Sequence, residues 1–72
     1  MQKKNAEQTL TYLIALLTEY LTELAAAPTE QENDFLYGEK TAYTECLEII
    51  SLWDKAKENG LNFDIEVRFP LA

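Results

Sequence analysis

Apolar residues recur at steps of three and four in the N-terminal part of the chain, which predicts an amphipathic helix over about residues 5–27. No glycine or proline interrupts this run before Pro28, and Pro28 disfavours helical geometry at Ala27. The apolar stripe of this first helix comprises Leu10, Leu13, Ile14, Leu17, Tyr20, Leu21 and Leu24.

A second helical pattern predicts a helix over about residues 30–59. Its start lies between Thr29 and Asp34, where several side chains can cap a helix. Its end is predicted at Gly60, which can adopt the left-handed conformation while Leu61 makes the accompanying apolar contact. One broad face is apolar and carries Phe35, Leu36, Ala42, Tyr43, Cys46, Leu47, Ile49, Ile50, Trp53 and Ala56, and the other face carries Thr41, Thr44, Glu45, Glu48, Ser51, Asp54 and Lys55.

The last segment alternates between apolar and polar residues, which predicts a short β-strand or extended tail over residues 61–69. One strand cannot satisfy its own backbone, and the sequence predicts no second strand. Three solutions are open: pairing with the same strand of a second copy, lying extended across the hairpin, or adding to the sheet edge of a partner. We favour the first, because twofold homodimers are the commonest oligomers. The apolar positions are Leu61, Phe63, Ile65, Val67 and Phe69.

The predicted fold is therefore mainly α: an antiparallel two-helix hairpin with a C-terminal strand, in one domain over residues 1–72, that dimerises into a four-helix bundle. A chain of 8.3 kDa buries only about 60% of its unfolded surface. With one cysteine and no histidine, it can form neither an internal disulfide nor a Cys/His zinc site. A second subunit is the remaining source of stability, and either it or the tail has to cover Trp53.

The charge balance is strongly acidic, with 13 acidic and 6 basic residues and a net charge of −7. This balance argues against direct binding to nucleic acid and against docking on anionic lipid. Solubility is the simplest explanation of the acidity, and DNA mimicry or capture of a basic partner is the alternative. Polar residues follow Lys3 and Lys4, so no signal peptide is expected, and no apolar stretch is long enough to span a membrane. The single Cys46 fits a reducing compartment, and we expect a cytoplasmic protein.

No recognised catalytic constellation occurs in the sequence, which has no histidine and no glycine-rich phosphate loop. We therefore expect no enzyme, no cofactor, no metal site and no catalytic residue. Glu39 lies in the middle of the apolar face of the second helix, where a carboxylate needs partners. It is either a ligand or catalytic acid or, as we favour, it accepts a structural hydrogen bond from Tyr20 or from a tyrosine of a second subunit. Cys46 is expected to be an inert core residue.

Gly38 lies inside the predicted second helix, where glycine costs about 1 kcal/mol relative to alanine. With Ala42 it forms a small pair that favours close approach of another helix, and a kink or a later helix start is the alternative. The expected function is a non-enzymatic protein–protein interaction or regulatory module acting as a homodimer. An acidic inhibitor or nucleic-acid mimic, of the kind mobile elements carry, is the alternative. The interaction candidates are Tyr37, Gly38, Glu39, Tyr43, Trp53, Phe63, Ile65, Val67 and Phe69.

Residues 35–53 read FLYGEKTAYTECLEIISLW and contain a Y-G-E-K-x-A-Y-x-E-x-L-E-I-I core. This core resembles a motif of small bacterial helical-hairpin proteins of unknown function, and it covers about a quarter of the chain. The resemblance implies a helical hairpin and no particular activity. The matching positions are Tyr37, Gly38, Glu39, Lys40, Ala42, Tyr43, Glu45, Leu47, Glu48, Ile49 and Ile50.

Overall fold

A computed structural model describes residues 3–26 and 34–71, and in these ranges the chain is mainly helical. Helix α1 (Ala6–Ala26) and helix α2 (Asp34–Ile50) pack against each other as a hairpin, and a one-turn helix α3 (Ile65–Arg68) follows. The predicted mainly α hairpin is therefore confirmed. The predicted end of the first helix at Pro28 and the possible cap at Thr29 lie outside the described residues.

Helix α1 begins with a reciprocal cap that the sequence prediction did not identify. The Asn5 side chain accepts a hydrogen bond from the Gln8 backbone N–H at 2.8 Å, and the Gln8 side chain accepts one from the Asn5 backbone N–H at 3.0 Å. The pair reproduces the geometry of a capping box with asparagine and glutamine in place of serine and glutamate. Two orphan backbone donors of the first turn are satisfied in this way.

The two helices run antiparallel and bury a shared apolar core. The Tyr20 and Tyr43 rings lie with their centroids 5.5 Å apart, and Glu7 near the start of α1 pairs with Lys55 beyond the end of α2 at 3.0 Å. The hydrogen bond from Lys55 to Glu7 and the negative charge of Glu7 raise the pKa of Lys55 above its ordinary value. The most deeply buried side chains are Ile14, Leu21 and Leu47.

Helix α2 ends at Ile50, nine residues before the predicted end at residue 59. After Ser51, the backbone N–H groups of Leu52 and Trp53 bond three residues back instead of four, and this tightens the chain into successive turns. These turns wrap across the first turns of α1, which brings Lys55 to Glu7 and buries Ala56.

The predicted glycine cap at residue 60 is confirmed, although it ends a 3₁₀ turn (Lys57–Asn59) rather than a long α-helix. Gly60 has a φ of +110°, and the Leu61 N–H bonds to the Ala56 carbonyl at 3.0 Å. This is the six-residue bond of a Schellman motif, and the two residues that it joins are both buried.

The predicted strand over residues 61–69 is wrong, because the described part of the chain contains no strand and this segment forms a turn and helix α3. The Asp64 side chain accepts hydrogen bonds from the backbone N–H groups of Glu66 and Val67 and so caps α3. Leu61, Ile65 and Phe69 are buried, and their spacing of four suits a helix as well as it suits an alternating strand. The tail therefore folds onto the hairpin, where Trp53 packs against a cluster that contains these three side chains.

Helix α2 begins at Asp34 and continues through Gly38, so the glycine does not mark a later helix start. A Cβ atom added at Gly38 would meet nothing within 4 Å. We expect Gly38→Ala to raise the free energy of unfolding by about 1 kcal/mol, because alanine restricts the unfolded chain and favours the helix. Urea denaturation in dilute solution, where the midpoint does not depend on protein concentration, measures this change. A lower midpoint would show that the glycine is required within the single chain.

Candidate interaction surfaces

Helix α2 has two apolar faces, of which the hairpin buries only one. The inward face packs on α1 and the tail through Tyr43, Thr44, Leu47 and Ile50, of which only Tyr43 is partly exposed. The opposite side carries a line of apolar and small residues that we call the outer stripe. It consists of Phe35, Gly38, Ala42, Cys46 and Ile49, and each of these residues is exposed.

The outer stripe exposes large apolar side chains at both of its ends. Phe35 is 72% exposed and Ile49 is 68% exposed, and they are separated by 14 residues on one helix. Because seven residues are close to two helical turns, Phe35, Ala42 and Ile49 lie along one side of α2. This exposed apolar line is a candidate contact surface.

Two predictions about faces of the second helix are wrong. Cys46 is exposed and not in the core, because the broad apolar pattern contained both the inward face and the outer stripe. Thr44, predicted on the solvent side, is buried, and its hydroxyl is 2.9 Å from the carbonyl oxygens of Lys40 and Thr41. A threonine can be buried here at little cost because the helix backbone satisfies its hydroxyl.

The candidates at the centre of α2 lie in different environments. Tyr37 is exposed, and Glu39 is half-buried at the margin between the inward face and the outer stripe. No hydrogen bond joins Glu39 to Tyr20 within the described residues, and the Tyr20 ring packs instead on half-buried Tyr43. A hydrogen bond from a tyrosine of a second subunit, and the alternative role of Glu39 as a ligand or catalytic acid, stay predictions.

A groove of about 610 Å³ lies between the turns after α2 and the α3 segment, and we call it the C-terminal groove. Its walls combine apolar and aromatic side chains with carboxylates. The sequence prediction did not find this groove, because its two walls come together only when the tail folds back. The lining residues are Glu48, Ser51, Leu52, Trp53, Asp54, Ala56, Lys57, Leu61, Phe63, Asp64, Ile65 and Glu66.

The candidates in the tail are also divided by the fold. Ile65 and Phe69 are buried, Phe63 is half-buried, and Val67 is 77% exposed. The Arg68 guanidinium lies 4.5 Å from the Phe63 ring centroid and 5.2 Å from that of Phe69. Phe63 therefore already contacts a cation within its own chain, and it also lines the C-terminal groove.

In residues 3–26 and 34–71, no group of three or more acidic, cysteine or histidine side chains is placed to hold a metal ion. No helix in the same ranges is long and apolar enough to cross a membrane.

The sequence matches no protein-family model, no curated protein and no solved structure. The function has to be inferred from the outer stripe, the C-terminal groove and the distribution of charge.

Proposed function

We propose that this chain is a non-enzymatic protein–protein interaction module that acts as a homodimer. The observation that supports the proposal is the outer stripe of α2, which has no partner within the described part of the chain. Phe35, Ala42 and Ile49 repeat every seven residues, which is the spacing that helix pairs use. Burial of two exposed apolar side chains per subunit would add to the small core of a 72-residue chain.

A second copy is the preferred occupant because the outer stripe is symmetric about Ala42. Phe35 lies seven residues before it and Ile49 seven residues after it, while Gly38 and Cys46 lie four residues to either side. In an antiparallel pair with its twofold axis at Ala42, Phe35 of one subunit would meet Ile49 of the partner subunit. Such a self-complementary surface is what an isologous dimer requires.

The small residues at the centre of the outer stripe fit the same arrangement. Gly38 and Ala42 present almost no side chain, so two α2 helices could approach closely between the larger side chains at the ends. Each subunit would contribute its hairpin, and the pair would form a four-helix bundle.

Sedimentation equilibrium tests the dimer, and we expect a mass of twice 8.3 kDa at micromolar concentration. Ala42→Glu should return the mass to that of one chain, because it places two like charges together at the twofold axis. Ala15→Glu is the matched control, since Ala15 is also an exposed alanine, on α1. A single-chain mass for the parent protein, or equal effects of the two variants, would contradict the proposal.

Disulfide crosslinking tests the position of the axis. In a Cys46→Ser background, A42C should form a covalent dimer on mild oxidation, because helix axes about 8 Å apart bring Cα atoms on the axis within disulfide range. A15C in the same background is the control. Crosslinking of A42C no faster than that of A15C would exclude the outer stripe as the interface.

A further inference from the structure

The C-terminal groove is lined by apolar and aromatic side chains together with exposed carboxylates. Trp53 and Phe63 are half-buried and form aromatic parts of its wall, and Leu52 beside them is 85% exposed. An exposed leucine next to two partly exposed rings offers a place where an apolar side chain can be buried. Water on these three side chains would be released when such a side chain binds.

The rim of the C-terminal groove is negatively charged. Glu48, Asp54, Asp64 and Glu66 are exposed around it, and Lys57 is the one basic residue among the described lining residues. The Asp64 side chain caps α3. Glu48 on α2 and Glu66 on the tail each contribute a further exposed carboxylate. A groove whose charged lining is mainly acidic attracts ligands of positive charge.

We infer that the C-terminal groove binds a basic amphipathic segment of a partner protein. One apolar side chain of the segment contacts Leu52, Trp53 and Phe63, and its lysine or arginine side chains pair with Glu48, Asp54 and Glu66. The inference rests on the proposed function in treating the chain as an interaction module, and it names the chemistry of a partner other than a second copy. No residue of the outer stripe lines this groove, although Ile49 at the end of the stripe shares a neighbouring shallow pocket with Glu48 and Leu52.

The chemistry of the partner follows from the two kinds of side chain in the groove, which are the apolar and aromatic residues and the carboxylates. Nucleic acid and anionic lipid are excluded here by like charge, because both would bring negative groups to a rim of carboxylates. A basic segment without apolar residues would make no contact with the apolar and aromatic side chains of the groove. A basic segment with one apolar face satisfies both halves at once, as amphipathic helices do in acidic-rimmed grooves.

The test uses a dye-labelled synthetic peptide of lysine, leucine and alanine with one apolar face and no tryptophan. Fluorescence anisotropy gives its affinity, and the emission of Trp53, the only tryptophan of the chain, reports contact at the groove. We expect binding that weakens with added salt, together with a shift in Trp53 emission. Absence of binding at low salt would overturn the inference.

Two double variants distinguish binding at the groove from attraction by the overall negative charge of the protein. E48Q/E66Q should weaken binding about fivefold, while E19Q/E23Q, which removes the same charge from exposed positions on α1, should leave it nearly unchanged. Leu52→Ser should weaken binding about tenfold while hardly affecting folding, because Leu52 is almost fully exposed. Equal weakening by both double variants would show a diffuse charge effect and overturn the inference.

Two further peptides test the apolar half and the sign of the charge. A peptide with serine in place of leucine should bind at least about tenfold more weakly, and one with glutamate in place of lysine should not bind. Equal affinity of the serine peptide would point to a surface that mimics nucleic acid by charge alone and would overturn the inference. Ala42→Glu should leave peptide binding unchanged, so failure of the dimer and failure of the groove give different results.

Discussion

Replacing Leu47 by alanine is expected to lower the free energy of unfolding by about 3 kcal/mol, which is the largest effect we predict for a single residue on α2. Leu47 is 0% exposed and lies in the cluster that joins α1, α2 and the tail. The loss includes the transfer free energy of the removed atoms and the cavity that they leave. A domain of 72 residues has a free energy of unfolding of roughly 4–11 kcal/mol in total, so the variant should lose a large fraction of its stability. Urea denaturation followed by circular dichroism measures the change.

Ile49→Ala is the matched control for Leu47→Ala, because Ile49 lies two residues further on the same helix but belongs to the outer stripe. In dilute solution, we expect it to change the free energy of unfolding by less than about 0.5 kcal/mol. At higher concentration, it should weaken the proposed dimer. Equal losses for the two variants in dilute solution would contradict the assignment of faces on α2.

Replacing Phe69 by alanine is expected to cost about 3 kcal/mol, the second large effect. Phe69 is 7% exposed and makes an edge-to-face contact with Phe63, with ring centroids 6.0 Å apart. Its ring also supports the Arg68 guanidinium at 5.2 Å. Loss of this side chain should release the tail from α2 and expose Trp53 to water, so the emission of Trp53 should shift to longer wavelength. Urea denaturation should show a lower midpoint for the variant than for the parent protein.

Val67→Ala distinguishes the helical tail from an alternating strand. In the folded chain, Val67 faces away from the core, so its truncation should cost less than about 0.5 kcal/mol. A strand with its apolar face on the core would bury Val67 and Phe69 alike. Similar losses for the two truncations would therefore support the strand and contradict helix α3.

The first helix was predictable almost to the residue because its signals are local. Its apolar residues keep one helical phase from Leu10 to Leu24, and no alternative pattern competes. Its reciprocal cap at Asn5 and Gln8 is also local, and the spacing of the two residues could have revealed it. The left-handed Gly60 was predictable for the same reason, since glycine adopts that conformation without a Cβ clash.

The second helix shows where local pattern becomes ambiguous. Its apolar residues cover so much of the helix that they contain two possible faces, and periodicity alone cannot decide which one α1 and the tail will bury. Cys46 was therefore placed in the core and Thr44 in solvent, and the fold places them the other way round. The candidate surfaces depend on this choice, because the outer stripe consists of the residues that the hairpin leaves uncovered.

The sequence by itself determined the helical hairpin, the acidic surface, the absence of histidine chemistry and the glycine turn at residue 60, since each depends on residue type or short-range spacing. Only the tertiary structure decided where α2 ends, which of its faces is inside and how the tail folds. The spacing of Leu61, Ile65 and Phe69 fits both an alternating strand and a helix, so the local pattern could not distinguish the two. Packing against Leu47 and Trp53 resolved it, because a capped turn and helix bury all three side chains without an unpaired strand edge.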